Sequence, residues 1–288
     1  MQNEVQPEKR RARNVHSPEA YILELSGVMS SRRPFEALRE AEAITVNSFD
    51  GTPIQYDLYD APSRTLVLVI PGFWRDRRHV SMVRLANWFA SSGYCTAICD
   101  LRGHGGSGGT FGFNLHEHHD IDAVVSDLIA RCAPESITII ALSYGGAIAI
   151  SAAARHDLPL ASMLLISPVA DFAMVSPRIN PFTIHRHIMF TQAIRRSPRF
   201  DWHLLRAAKL RAVDDVENIH VPLSLVHVKN DWLIDHTHSI ALYEHANEPK
   251  ELHVIDIPGN YHADRIFLNA PALIEPIISE FLGRYSAR

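Results

Sequence analysis

The stretch ITIIALSYGGAIAI, residues 137–150, decides how this chain is read. Residues 137–142 are an apolar, Ile-rich run of strand length, and the small-residue series Gly145-Gly146-Ala147-Ile148-Ala149 opens a helical pattern directly afterwards. Ser143 therefore falls on a sharp strand-to-helix turn. A serine there sits in strained backbone and needs small residues two before and two after it, which Ala141 and Gly145 provide. Such a turn lifts Oγ clear of the sheet. It also points the Tyr144 N–H and the helix N-terminus at one spot, where charge developing on an oxygen would be stabilised. A serine N-cap on a buried helix would read similarly, so the flanking sequence has to separate the two.

Outward from this turn the chain alternates. Short apolar runs at 66–70, 94–99, 137–142, 160–166 and 223–228 suit parallel strands buried on both faces. Helical periods at 80–90, 121–130, 145–154, 240–246 and 266–282 lie between and after them. A hairpin at 44–49 and 55–59 turns at Asp50-Gly51. The expected class is α/β, a mostly parallel sheet flanked by helices. The alternation fails once, over 171–217, too long for an ordinary connection and read as a helical cap insertion. The expected organisation is an N-terminal arm and helical extension (1–42), a core formed by 43–170 and 218–288, and the cap.

Composition narrows the function classes. The 288 residues are 47% hydrophobic and 21% charged, with 28 Lys+Arg against 32 Asp+Glu. That balance gives no global bias toward nucleic acid, and no apolar run is long enough to span a bilayer. Three cysteines cannot build a disulfide framework. The polar, basic N-terminus has no following apolar segment of the secretory type, so a reduced, cytoplasmic setting is expected.

Four further blocks carry a family likeness. TLVLVIPGF (65–73), DLRGHGGS (100–107), EHHD (117–120) and the Ser143 turn occur in the order found in α/β hydrolases. The chain resembles the branch of monoacylglycerol lipase-like and serine aminopeptidase-like esterases over 43–170 and 218–285. A hydroxyl is a weak nucleophile at neutral pH and needs a base, which in turn needs an orienting carboxylate. In this fold the order is Ser, acid, His. LSLVHVKND (223–231) ends on Asp231 where the family carries its acid, and IPGNYH (257–262) ends on His262 where it carries its base. Asp235, four residues on, is the rival acid, with Asp256 and Asp264 behind it. The resemblance implies an oxyanion hole from the amides of Phe73 and Tyr144, with Gly72 allowing close approach and Pro71 standing where the family has histidine. Gly72, Trp74, Phe182, Met189, Phe190 and Trp232 are the expected substrate-binding residues.

The resemblance implies serine hydrolysis of a carboxylic ester or thioester, without cofactor. Acyl transfer by the same residues, peptidase activity and non-catalytic ligand binding remain open. Two segments could suggest other chemistry. The run His116-Glu117-His118-His119-Asp120 is read as helix-start charge rather than a metal site, because adjacent side chains on a helix diverge. The glycine-rich loop 103–108 lacks the Gly-Lys-Ser/Thr ending of a phosphate cradle. Finally, 172–211 holds eight basic residues (Arg178, Arg186, Arg195, Arg196, Arg199, Arg206, Lys209 and Arg211) against one acid, Asp201. Such a cap either pairs with the acidic body or steers an anionic acyl carrier, acyl-CoA or an acyl-carrier protein. PGFWRDRR (71–78) and KNDW (229–232) are similar to segments of the acyl-carrier-protein thioesterases of bacterial bioluminescence, which fits the second reading.

Overall fold

Asp50 and Gly51 reverse the chain between β1 (Glu42–Asn47) and β2 (Pro53–Tyr59). Gly51 takes a φ of 77°, and the Asp50 carboxylate accepts the Thr52 amide at 3.0 Å, the local bond that makes Asp-Gly a tight reversal. The computed structural model describes residues 40–175, 198–199, 203, 209–259 and 261–286. Glu42, placed by the sequence in an N-terminal extension, is the first residue of β1 and pairs with Leu58.

The apolar runs become β3 (Thr65–Ile70), β4 (Cys95–Cys99), β5 (Ser136–Leu142), β6 (Ser162–Ile166) and β7 (Leu223–Val228), buried along their whole length. With β8 (Lys250–Ile255) they form an eight-stranded sheet in the order β1-β2-β4-β3-β5-β6-β7-β8. From β4 across to β8 every pairing is parallel, while β2 runs antiparallel to both neighbours.

Burial on both faces explains the continuous apolar runs. Along β3, Leu66, Leu68 and Ile70 enter one core, while Val67 and Val69 enter the other, as the two-residue period of a strand demands. The first core also takes in α2 (Glu117–Cys132), α3 (Tyr144–Arg155) and α5 (Thr237–His245). The second takes in α1 (Val80–Ser91), α6 (Asp264–Asn269) and α7 (Pro271–Tyr285). The helical period expected over 266–282 is thus two helices. Pro271 has no N–H to continue α6 and biases Ala270 out of the helical region, where it sits at φ −139° and ψ 51°.

The segment expected as a cap is described at its ends and at residues 198–199 and 203. Asp171 caps a short 3-10 turn at Phe172–Met174, and the chain returns through Lys209 and Leu210 into α4 (Ala212–Asp215). Arg199 touches down between, its amide donating to Gly103 O at 2.7 Å. Phe182, Met189 and Phe190, like residues 1–39, lie outside the described residues. No described helix is long and apolar enough to cross a membrane.

Candidate active site

Ser143 stands between the last residue of β5 and the first of α3, with φ 53° and ψ −123°. Positive φ is costly for a residue with a Cβ and persists only where the surroundings enforce it. Here the Ser143 amide donates to Ile166 O on the neighbouring strand, and its carbonyl accepts from Gly146 N, both at 2.9 Å. The small residues in the sequence have specific tasks. A Cβ on Gly145 would lie 2.3 Å from Pro71 O and 2.6 Å from Ile70 O, so the end of β3 can approach only a glycine. A Cβ on Gly72 would lie 2.8 Å from Ser143 Cβ. The loop after β3 therefore passes with its backbone against the Ser143 turn, and Phe73 follows immediately.

The loops after β7 and β8 bring in the other two residues. His262 Nε2 lies 2.8 Å from Ser143 Oγ, and His262 Nδ1 lies 2.8 Å from Asp231 Oδ2. Asp231 is held by two sets of partners. Its Oδ1 accepts the amides of Leu233 and Ile234 at 2.9 and 3.1 Å, closing a local turn, which leaves Oδ2 for His262. Burial opposes the charge of this carboxyl, but His262 first and then His227 hold it well below the usual carboxylate range. It is therefore ionised at neutral pH, as required to keep His262 Nδ1 protonated and Nε2 free to accept from serine.

His227 was not among the residues singled out in the sequence. It is fully buried on β7, with Nδ1 2.7 Å from Ser239 Oγ and Nε2 3.0 Å from Ile234 O. Because a carbonyl only accepts, Nε2 carries the proton and Nδ1 accepts from Ser239. The same Nε2 is 3.5 Å from Asp231 Oδ2. His227 thus anchors the loop that carries the acid. Its signal was a lone histidine in an apolar run, indistinguishable in sequence from any satisfied core histidine.

The rival acids have other partners. Asp235 is half-exposed and accepts the Thr237 amide at the start of α5, at 3.0 Å. Asp256 is exposed and pairs with Lys229 at 2.7 Å. Asp264 is buried and accepts from Arg75 Nε at 3.1 Å. Burial opposes its ionisation, but Arg75 and then Ser81 outweigh this and hold it at about 2. That pair ties the loop bearing Phe73 and Trp74 to the helix start just after His262.

An aromatic wall borders the serine. Phe73 packs on Trp74, Phe111, Phe113 and His104 with ring centres 4.4 to 5.4 Å apart. The Tyr144 ring lies 5.5 Å from Phe111 and its hydroxyl donates to Phe113 O at 3.1 Å. Trp232 stands edge-on to His262 at 6.5 Å. Phe111 and Phe113 were missed because they lie in a loop without periodicity. Beneath the wall, the loop 100–107 is a packed strut. Asp100 Oδ2 accepts Gly106 N at 2.8 Å, and Ser107 Oγ donates to Asp100 O at 2.8 Å. Burial pushes His104 down to about 4, so it is neutral. Its Nδ1–H donates to Arg102 O at 3.1 Å, leaving Nε2 to accept the Trp74 amide at 3.4 Å.

Of the basic residues in 172–211, three are described. Arg199 bonds the carbonyl of Ser107, Arg211 pairs with Asp171 at 2.7 Å, and Lys209 lies 5.8 Å above the Phe113 ring. Arg199 thus fastens the segment to a neutral carbonyl of the core, while Arg211 pairs with carboxylates of the segment itself, Asp171 and Asp214.

A family model described as serine aminopeptidase, S33, matches residues 61–197. No curated protein sequence matches the chain. Among solved structures, an esterase of Pyrococcus furiosus is similar with TM-score 0.70 and 21% identity, covering 86% of this chain and 92% of that one. An α/β hydrolase of Penicillium sp. gives TM-score 0.72 at 18% identity, covering 86% and 100%. An esterase of Rhodococcus sp. gives 0.62 at 18%, covering 85% and 99%. Sheet order, the serine turn and these likenesses together show that the chain has the α/β-hydrolase fold.

Proposed function

We propose that this α/β hydrolase cleaves a carboxylic ester or thioester through an acyl-enzyme on Ser143. The observation that carries the reading is the pair of 2.8 Å contacts linking Ser143 Oγ, His262 and Asp231. Nε2 of His262 takes the proton from Oγ as the hydroxyl attacks the acyl carbon. Asp231 holds the imidazole in the required tautomer and stabilises the imidazolium that forms. The amides of Phe73 and Tyr144 receive the oxyanion, each worth about 3 kcal/mol of barrier by analogy with removal of a single donor. The alcohol or thiol leaves with the proton from His262. Water, deprotonated by the same nitrogen, then releases the acid and regenerates Ser143. The aromatic wall offers an apolar seat for the acyl chain, and Trp74 and Trp232 flank the reacting centre.

A second reading concerns the leaving group. The excess of basic residues in 172–211 supports an anionic acyl carrier, acyl-CoA or an acyl-carrier protein, as the natural donor. The test compares kcat/KM for one acyl chain presented as a neutral glycerol ester and as a carrier thioester, at two salt concentrations, with Ser143→Ala as the blank. Hydrolysis of either substrate that disappears in the blank supports serine chemistry, and equal rates in both proteins refute it. A thioester preference that fades with salt supports carrier docking, and a salt-insensitive ester preference removes it.

A further inference from the structure

The segment 116–120 was read as helix-start charge on the ground that neighbouring side chains diverge. The fold supplies what that reading lacked, a third imidazole from 38 residues further along the chain. His118 and His119 lie in the first turn of α2, and His156 is the residue that ends α3. The rings of His118 and His119 sit 4.0 Å apart, and each is about 5 Å from that of His156. We propose that His118, His119 and His156 bind a divalent transition-metal ion of the zinc class, joining the start of α2 to the end of α3.

The geometry is close to that of a coordinated ion. One nitrogen from each ring lies within 4.8 Å of the other two, and His118 Nδ1 is 2.9 Å from His156 Nε2. Imidazoles bound tetrahedrally at about 2.0–2.1 Å place their nitrogens about 3.3 Å apart. Binding thus needs one contact to open by a few tenths of an ångström and His119 to swing inward.

The surroundings resemble the outer layer of a metal site. Asp122 Oδ2 lies 3.7 Å from His156 Nδ1, on the side away from His118. A carboxylate at that distance attracts a cation held on the other nitrogen. The neighbouring cations are drawn to carboxylates, Arg155 to Asp215 at 2.7 Å and Arg102 to Asp120 and Asp50. His119 and His156 are half-buried, so an ion can enter from solvent and keep a water as its fourth ligand. An all-nitrogen set of this kind suits Zn2+, Ni2+ or Cu2+ over Mg2+ or Ca2+. α3 has 12 residues, so its two ends lie about 18 Å apart, and the ion would act as a staple far from Ser143.

The test uses the full untagged chain, stripped with chelator and titrated with Zn2+ in a calorimeter, and with Co2+ by visible absorption. Expected are one ion per chain at a Kd below about 100 µM, a melting temperature raised by Zn2+, and the visible bands of four-coordinate Co2+. His119→Gln and His156→Gln should each weaken binding at least about tenfold, and Asp122→Asn by a smaller factor. Both histidine changes are at half-buried positions. Their melting temperatures without metal report on folding, so loss of binding in a folded variant is informative. Absence of saturable Zn2+ binding by the wild type, or wild-type affinity in both folded histidine variants, overturns the proposal.

Discussion

The Ser143 turn and the Asp231 loop reach the same centre by different physics. Ser143 is fixed by backbone. Its positive φ is enforced by the strand β6 carbonyl it donates to, and by a β3 loop that only Gly72 and Gly145 let approach. Asp231 is fixed by side chains and local amides. Leu233 and Ile234 hold one oxygen, and the buried His227 ties down the loop through Ile234 O. A backbone-built site leaves a pattern of small residues in the sequence. A side-chain-built site leaves only isolated polar residues in apolar runs.

The comparison can be broken by mutation, beginning with the largest effect. Asp231→Asn should lower kcat by about ten-thousandfold with little change in KM, because the imidazole loses its tautomer. A loss below tenfold would mean the acid lies elsewhere. His227→Phe should cost about ten- to a hundredfold in kcat while leaving KM near wild type, in line with other residues that orient a reacting group through a partner. An unchanged kcat would show that the two loop amides alone hold Asp231. Asp235→Ala should retain at least about a tenth of the activity, since His262 Nδ1 is held by Asp231 while Asp235 accepts the first amide of α5. If it falls as far as Asp231→Asn, the assignment of the acid is reversed.

The smallest effect concerns pH. Asp264 has an ordinary value of 3.8 and is held at about 2 in the folded chain, mainly by Arg75 against the cost of burial. A carboxyl depressed on folding stabilises the fold fully above its unfolded value and loses that contribution as pH falls through the folded one. The Arg75–Asp264 tie between the Phe73 loop and the His262 loop should therefore weaken between about pH 4 and pH 2. Melting temperature followed over this range should fall less steeply in Asp264→Asn than in the wild type. Parallel curves would deny the pair its role.

The same contrast explains how much was legible. β3 to β7 announce themselves because both faces are buried, so polarity vanishes along the run. β8 is an edge strand with half-buried residues and Lys250, Glu251 and His253 among its six, so its apolar signal is weak. The break at Pro271 was available in the sequence and was overridden by a continuing helical period. Ser143, Asp231 and His262 could be picked out by their place in the motif order of the family the sequence resembles. Their contacts, the anchor His227 and the ring wall of Phe111 and Phe113 depend on long-range packing. The His118, His119 and His156 group depends on it most, because two distant helix ends must meet.

The central claim is that the acyl group passes through Ser143. Rapid quenching of a turnover with an activated acyl ester, followed by mass spectrometry of the proteolytic peptides, tests it directly. The account predicts that one acyl mass is added to the peptide containing Ser143, forms before steady state and is absent from Ser143→Ala. Turnover without any adduct at Ser143, or an adduct on another residue that persists in Ser143→Ala, would contradict it.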